Sequence, residues 1–316
     1  MIVIKYSSEK KNQWDEFIRN SKNGLFMFCR DYMEYHSDRF IDNSLMFYEN
    51  EKLISVFPAS VENNVLLSHG GLTFGGFVTD CSMKQHHMND LFANLLDYSR
   101  HHGIQEIVYK QIPHIYSKLP AEEDLYSLFC INASIKKIEA ATVIDLKNMP
   151  KLPKGRKAQI SRARREGVVF EESNEFEKFI DLENAVLGEY HNATAVHTGK
   201  ELDLLHSRFP EQIKLYVGKH GEEIVAGCVL FVYEHLVHTQ YLAANDWARE
   251  NGALDLVIFN LIEKFKDNKK WFDFGKSTED DGKILNEGLI SQKEGFGGRT
   301  FVYQTWKISL SNYKSF

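Results

Sequence analysis

The residues best equipped for chemistry gather in one stretch, Trp271–Gly298, WFDFGKSTEDDGKILNEGLISQKEGFGG. A short apolar run, Trp271, Phe272 and Phe274, stops at Gly275, which reads as a buried strand and its exit. The polar turn Lys276-Ser277-Thr278 follows, and a Ser or Thr there could cap a helix carrying Glu279, Asp280 and Asp281 in its first turn. Two further anchors come next, Asn286-Glu287-Gly288 and Lys293-Glu294-Gly295-Phe296-Gly297. A strand end thus delivers ionisable and amide side chains into a glycine-punctuated loop, where sites usually form. Each glycine taken singly also fits an ordinary tight turn.

A second chemical feature lies within Leu146–Gly167, where Lys154, Arg156, Lys157, Arg162, Arg164 and Arg165 begin a helix after two prolines. Lys157 and Arg164 share a face and Arg162 points elsewhere. Such a run serves either as a solvated helix face or as a local phosphate-binding patch, since guanidinium forks match phosphate oxygens.

Composition bounds what these residues can be part of. A chain of 316 residues with 43% hydrophobic content is long enough for two globular domains. A net charge of -6 argues against a nucleic-acid coat or a polybasic membrane binder. The cysteines Cys29, Cys81, Cys130 and Cys228 are scattered without metal-ligand spacing, so no metal is expected and a reducing compartment is. The N-terminus is too polar for a signal peptide and no apolar run is long enough to span a bilayer. The expectation is a cytoplasmic protein acting on small molecules, with no nucleic-acid or membrane partner; the composition leaves its oligomeric state open.

The elements that must position the site repeat. Residues 2–6 read as a strand, followed by Trp14, Phe17 and Ile18 at helical spacing. Ser44–Tyr48 and Leu53–Pro58 form a strand pair around Glu49-Asn50-Glu51, and Val61–His69 continues it with Asn63-Asn64 as a turn. After the glycine-rich Gly70–Val78 and a linker, Met88, Leu91, Phe92, Leu95 and Leu96 mark an amphipathic helix, and Ile104–Lys110 a closing strand. The second half has Ile213–Val217 and Ile224–Tyr233 around Lys219-His220-Gly221, then Leu236–Ala244 and the polar loop Asn245–Arg249. The stripe Leu254, Val257, Ile258, Leu261, Ile262 and Phe265 leads to Trp271–Phe274. The same order occurring twice points to two copies of one domain. The boundaries are 1–145 and 146–316. The fold class is α/β (α+β), two tandem domains each with a mixed, largely antiparallel sheet flanked by helices.

On these stretches the chain resembles the FemABX-like double-GNAT acyltransferases. The resemblance is carried by Phe272–Thr278, Leu285–Leu289, Lys293–Gly297, His238–Ala244 and the basic Lys154-Gly155-Arg156-Lys157, and covers nearly all of the chain. The turn Arg249-Glu250-Asn251-Gly252-Ala253-Leu254 is similar to the GNAT pyrophosphate loop, Arg/Gln-x-x-Gly-x-Gly/Ala, with Leu254 where a small residue is expected. Backbone N–H groups at a helix N-terminus suit a diphosphate. The resemblance therefore implies coenzyme A, as an acyl-CoA co-substrate, in the second domain, held by Leu242, Ala243, Ala244, Arg249, Asn251, Gly252, Ala253, Ser277, Asn286 and Lys293. The first copy has Thr79-Asp80-Cys81-Ser82-Met83-Lys84 at that point and would not bind it.

The activity implied is acyl transfer from a thioester or ester to an amine, by direct attack in a ternary complex. Such a site supplies proximity, a sink for the amine proton and donors to the tetrahedral oxyanion. His238 and Asp273, near the ends of central strands, are the candidate bases, with Glu287 third. Tyr241 would protonate the leaving thiolate, and Lys293 would stabilise charge. The acceptor side implied by the resemblance comprises His69, Gly71, Phe74, Tyr116, Lys154, Arg156, Lys157, Gln240 and Lys276. Within the family the chain looks most like the branch that N-acylates nucleotide-linked amino sugars such as dTDP-3-amino-3,6-dideoxyhexose, with an acetyl or 3-hydroxybutanoyl donor, for O-antigen, lipopolysaccharide or capsule. The alternatives are an aminoacyl-tRNA-dependent transferase extending a peptidoglycan precursor and a non-catalytic double-GNAT module. A tRNA-dependent enzyme is expected to carry a helical-hairpin arm, and no heptad run occurs between Glu201 and Lys270.

Overall fold

Four hairpins of the chain are closed by turns with residues in the left-handed region, at Asn50-Glu51, Asn63-Asn64, Gly221 and Asp280-Asp281. The computed structural model describes residues 1–191 and 193–311, the side chains at 190 and 191 excepted. The chain divides into two compact units. The first holds Met1–Glu139, Asp281–Lys283 and the described chain from Val302 onward; the second holds Ala140–Asp280 and Ile284–Phe301.

In the first unit β1 (Ile2–Lys5) leads through α1 (Lys11–Asn20) and the short α2 (Arg30–Met33) to the hairpin β2 (Leu45–Glu49) and β3 (Lys52–Phe57). Asn50 and Glu51, at φ 45° and 64°, make its turn. Pro58, with no N–H to give a ladder, ends β3, and a second hairpin follows, β4 (Ser60–Glu62) and β5 (Val65–Leu67), turned by Asn63 and Asn64. After β6 (Val78–Thr79), α3 (Gln85–His101) buries Met88, Leu91, Phe92, Leu95 and Leu96, the five positions of the apolar stripe. The chain continues as β7 (Glu106–Lys110) and α4 (Glu123–Cys130). One sheet runs β1-β2-β3-β6. In the other, β5 pairs with β7 in parallel across the α3 crossover, and residues 305–309 of the last strand, Arg299–Ser309, add antiparallel to β7.

The second unit is entered along β8 (Ser134–Asp145) and continues with α5 (Lys154–Arg165), β9 (Val169–Ser173), α6 (Phe176–His191) and α7 (Gly199–Arg208). A meander follows, β10 (Ile213–His220), β11 (Glu223–Val232) and β12 (Leu236–Ala244), then α8 (Asp246–Asn251), α9 (Ala253–Phe265) and β13 (Trp271–Lys276). The sheet order is β8-β13-β12-β11-β10-β9, antiparallel except for β12 and β13, which run parallel around α9. The core packs α9, through Leu256, Val257, Leu261 and Phe265, on Tyr216, Val225, Cys228 and Phe272 of the sheet. Both units therefore contain a helix crossing between two parallel strands, in agreement with the repeated order in the sequence. The mixed α/β class with mostly antiparallel sheets flanked by helices is as expected.

Four local expectations differ. No helix follows Thr278; Thr278–Glu279 is β14 and pairs with β15 (Ile284–Leu285), because Asp280 and Asp281 take φ of 46° and 51° and turn the chain back. The helix starts instead at α10 (Glu287–Glu294), where Asn286 Oδ1 accepts from the Leu289 N–H at 3.0 Å. Asn245–Arg249 is no loop, since Asn245 caps α8 by accepting from the Ala248 N–H at 2.8 Å. The turn of the β10–β11 hairpin falls at Gly221 and Glu222, with β10 running on through His220. The unit boundaries also depart from 1–145 and 146–316. The chain changes unit at Ala140 inside a strand, and the last strand's ladder to β7 draws Ile308 and Leu310 into the first unit's core.

Among the described residues no helix is long and apolar enough to cross a membrane, and no group of His, Cys, Asp or Glu is placed to hold a metal ion.

Candidate functional site

The parallel pairing of β12 and β13 is short. It runs from Leu236↔Trp271 to His238↔Asp273 and stops, although β12 continues to Ala244. At that rung β12 also bulges: Val229 of β11 faces Tyr241 and Leu230 faces Thr239, so Gln240 is the extra residue. Where the strands part, the second unit has a cavity of about 620 Å³. Thr239, Gln240, Tyr241, Leu242 and Ala244 form one wall, Phe274 and Leu289 another, and Arg249 and Leu254 stand where α8 meets α9. Asn286, Gln292 and Lys293 of the α10 region and Glu183, Val186 and Leu187 of α6 complete it.

At the parting rung His238 Nδ1 lies 3.0 Å from Asp273 Oδ2, and Asp273 Oδ1 accepts from the Gly275 N–H at 2.7 Å. Asp273 is wholly buried. Gly275, at φ 69°, packs its Cα against the His238 ring, where a Cβ would come within 3.1 Å of Cε1. Neither His238 nor Asp273 lines the cavity; they fix the strand end beside it. Lys293 does line it. Its Nζ donates to the carbonyls of Gly275 (3.1 Å) and Lys276 (2.7 Å), and burial pulls its pKa down to about 8, opposed by the Asp273 charge.

Tyr241 presents a hydroxyl 2.6 Å from His197 Nδ1 that also accepts from the His197 N–H at 3.1 Å. Burial raises its pKa to about 12, which keeps the proton on the oxygen at neutral pH. Gln240, Leu242, Ala244, Arg249 and Asn286 also sit on the cavity wall. Arg249 Nε donates to the Ala244 carbonyl at 3.1 Å. Ala243 is buried in the ladder opposite Gly227, and Asn251 Nδ2 donates to the Trp247 carbonyl at 2.9 Å. Gly252 joins α8 to α9 at φ 73°, where a Cβ would lie 2.4 Å from the Gln159 oxygen of α5. Its glycine requirement comes from that close approach as well as from the left-handed turn. Ala253 is buried at the start of α9, with no side chain capping that helix. Ser277 donates its N–H to Ala140 at 2.7 Å, and its buried hydroxyl has no hydrogen-bond partner among the described residues.

Other expected site residues lie elsewhere or are occupied. Glu287 is exposed on α10 away from the cavity lining, which removes the third candidate base from that wall. Lys154 and Lys157 are exposed on α5, as is the side of the strand end bearing Lys276. Arg156 is a clamp: Nη1 pairs with Asp255 at 2.7 Å, Nη2 donates to the Gln292 carbonyl at 3.0 Å, and the guanidinium lies 4.7 Å over Phe296. In the first unit, His69 is buried beside His36, with burial pulling its pKa down to about 3. Gly71 is forced by His36, whose Nε2 a Cβ would approach to 2.4 Å. Phe74 and Tyr116 are buried edge to face at 4.8 Å, with Tyr303 against Phe74, so they form packing rather than a surface open to an acceptor.

The sequence reading missed Glu183. On α6 the apolar stripe Phe176, Phe179, Ile180 and Leu187 passes through this position, so a carboxylate stands where periodicity asks for an apolar side chain. Phe179 seats the helix on β11 at Gly227, where any Cβ would come within 2.8 Å of the ring. One turn on, Glu183 is 8% exposed, and burial raises its pKa to about 7.

Comparison with known proteins gives a domain family and a fold. Residues 154–281 match the acetyltransferase (GNAT) domain family. Over 98% of this chain and 97% of the other, the structure is similar to that of FemX, at 12% identity and a TM-score of 0.67. L-PGS from Bacillus licheniformis is similar over 99% of this chain and 95% of its own, at 15% identity and a TM-score of 0.65. A tandem GNAT protein from the clavulanic acid biosynthesis pathway aligns over 99% of both chains at 9% identity and a TM-score of 0.55. No curated protein matches the chain in sequence. Residues 154–281 thus match a GNAT domain, and the chain as a whole has the fold seen in FemX and in the tandem GNAT protein.

Proposed function

We propose that the chain is an N-acyltransferase that moves an acyl group from a coenzyme A thioester to an amine within the second unit, the acceptor being a nucleotide-linked amino sugar. The observation carrying this reading is the cavity that opens where β12 and β13 separate, because it meets the needs of an acyl-CoA arm at both ends. At one end Arg249 and the uncapped first turn of α9 offer a cation and backbone N–H groups to a diphosphate. Along the middle, Gln240–Ala244 of β12 lie beyond the last rung to β13, an edge suited to pairing with the amides of an extended arm. Leu242, Leu254, Phe274 and Leu289 give an apolar wall for a short acyl chain. Leu254 narrows the entrance compared with a small residue.

When bound, the thioester supplies an activated carbonyl. The protein's share is to orient the arm, keep bulk water from the carbonyl and manage protons. Lys293 puts positive charge at the cavity wall near the strand end, where negative charge grows on the carbonyl oxygen during attack. Tyr241 carries a proton suited to a leaving thiolate. His238 and Asp273 hold the geometry of the parting strands from behind.

The choice of amino sugar rests on the sequence resemblance, as do dTDP-3-amino-3,6-dideoxyhexose as acceptor and a role in O-antigen or capsule synthesis. A second reading is aminoacyl transfer from a tRNA ester, favoured by the fold similarity to FemX and L-PGS. A thiol-release assay with acetyl-CoA and 3-hydroxybutanoyl-CoA against dTDP- and UDP-linked amino sugars separates them. Coenzyme A released only with donor and one amino sugar together supports the first reading. No release and no calorimetric binding of either thioester, with transfer from charged tRNA, replaces it by the second.

A further inference from the structure

We propose that Glu183 is the carboxylate that takes the proton from the attacking amine, an assignment that rests on acyl transfer to nitrogen as the reaction of this cavity. From sequence the candidate bases lie on the sheet, at His238 and Asp273. The structure directs both of those groups to each other and to Gly275, outside the cavity lining, and puts Glu183 on the cavity wall.

A carboxylate on the buried face of an amphipathic helix loses solvation that an apolar residue would not need, and it is kept in native folds mainly where it is used. Among the described residues it pairs with no cation, and burial alone raises its pKa. The titratable and charged groups around it are Cys228 on β11 and Tyr241 on β12, both of which feel its charge, and His197, which hydrogen-bonds Tyr241. Across the cavity stand Arg249 and Lys293. On α7, Asp203 and His206 act on one another, with Asp203 also feeling Glu177 nearer the start of α6.

An amine in neutral water carries an extra proton, and a buried carboxylate attracts that ammonium into the cavity while being basic enough to hold its proton afterwards. During transfer the N–C bond forms and the C–S bond breaks. Starting from the ammonium, one proton leaves nitrogen for a Glu183 carboxylate oxygen and is later released to solvent, and the second ends on the departing sulfur by way of the Tyr241 hydroxyl, which gives its proton to sulfur and takes that one in return. The net change is ammonium and thioester to amide, thiol and one released proton, with no oxidant or further reactant. Glu183 and Tyr241 then form an acid and base pair on adjoining walls, one receiving a proton and the other holding one.

The test uses the full chain, its Glu183→Gln and Glu183→Asp variants, acetyl-CoA, and a dTDP-linked 3-amino-3,6-dideoxyhexose. We expect Glu183→Gln to lower kcat at least 100-fold with acetyl-CoA affinity by calorimetry unchanged, and Glu183→Asp to keep measurable turnover. The wild-type kcat/KM should fall on the acid side with a midpoint near 7, a limb missing from Glu183→Gln. Wild-type kcat in Glu183→Gln overturns the inference. Carbon-13 NMR of the side-chain carboxyls decides it without turnover: a Glu183 midpoint near 7 supports it, and one in the ordinary range overturns it. Failure of wild type and variant alike to bind acetyl-CoA overturns the acyl-CoA reading instead and leaves the carboxyl titration as the measure of Glu183.

Discussion

His238 Nδ1 and Asp273 Oδ2, 3.0 Å apart, form the last rung before β12 and β13 separate. Because Asp273 is wholly buried and also receives the Gly275 N–H, its carboxylate favours a proton on His238 Nδ1 and helps hold Gly275 at its positive φ. Asp273→Asn can still accept from Gly275, but its amide N–H groups then face His238 Nδ1. We expect a loss of about 1–3 kcal/mol in urea unfolding, as for a disrupted buried hydrogen bond. Nitrogen-15 NMR of the imidazole should show the proton moved from Nδ1 to Nε2. Retention of the Nδ1 proton in the variant would mean that some other group fixes the ring.

Lys293 gives a pH dependence with a defined sign. Its folded pKa of about 8 lies below the ordinary lysine value of 10.5, so the folded chain binds fewer protons than the unfolded chain between those limits. Stability therefore rises as pH increases across that window, by about 3 kcal/mol at most. Lys293→Met should remove this rise while losing the two bonds to Gly275 and Lys276. Parallel urea titrations of wild type and variant from pH 7.5 to 10.5 measure it. The same slope in both would exclude Lys293 as its source.

Much of the scaffold was legible because periodicity reports burial. The β12 limits and the α3 stripe follow directly from apolar spacing. What was not legible depends on contacts distant in sequence. Thr278–Glu279 has the composition of a helix start, and only its pairing with Ile284–Leu285 makes it a strand. Tyr116 is of a type suited to an acceptor contact, and its packing against Phe74, distant in sequence, places it among buried residues. His238 and Asp273 were recognisable near the strand ends, yet only the register that pairs them shows that they bond each other and do not line the cavity. Glu183 was hidden for the opposite reason. A charged residue inside an apolar stripe reads as an interruption until the cavity beside it is seen.

Gly252 and Gly221 separate backbone strain from steric contact. Both have positive φ, 73° and 60°, but a Cβ at 221 meets nothing within 4 Å, whereas at 252 it strikes the backbone of Gln159. Gly221→Ala should cost about 1 kcal/mol. Gly252→Ala should cost on the order of 2–3 kcal/mol more, since α5 and α9 must move apart. Thermal unfolding of the pair tests this. A bulky residue at 252, such as Trp, would unseat α5, so lost acyl-CoA binding in that variant would report damage to the fold. Equal costs at the two positions would show that α5 yields freely there.

Arg156 had been expected to meet substrate phosphate, and its contacts give it a different task. Its guanidinium joins α5 to Asp255 on α9 and to the Gln292 carbonyl on α10, while covering Phe296. Asp255 is 8% exposed, so removing the arginine leaves a nearly buried carboxylate without this partner. Arg156→Met should destabilise the chain by about 3 kcal/mol, and Asp255→Asn in that background should recover part of the loss, a coupling of about 1–3 kcal/mol. The same double-mutant cycle read in acetyl-CoA affinity should show no coupling beyond that explained by stability. A large loss of affinity in Arg156→Met with wild-type unfolding behaviour would instead return this residue to the substrate-binding surface. The two readouts together distinguish a clamp from a phosphate ligand because only the clamp needs Asp255.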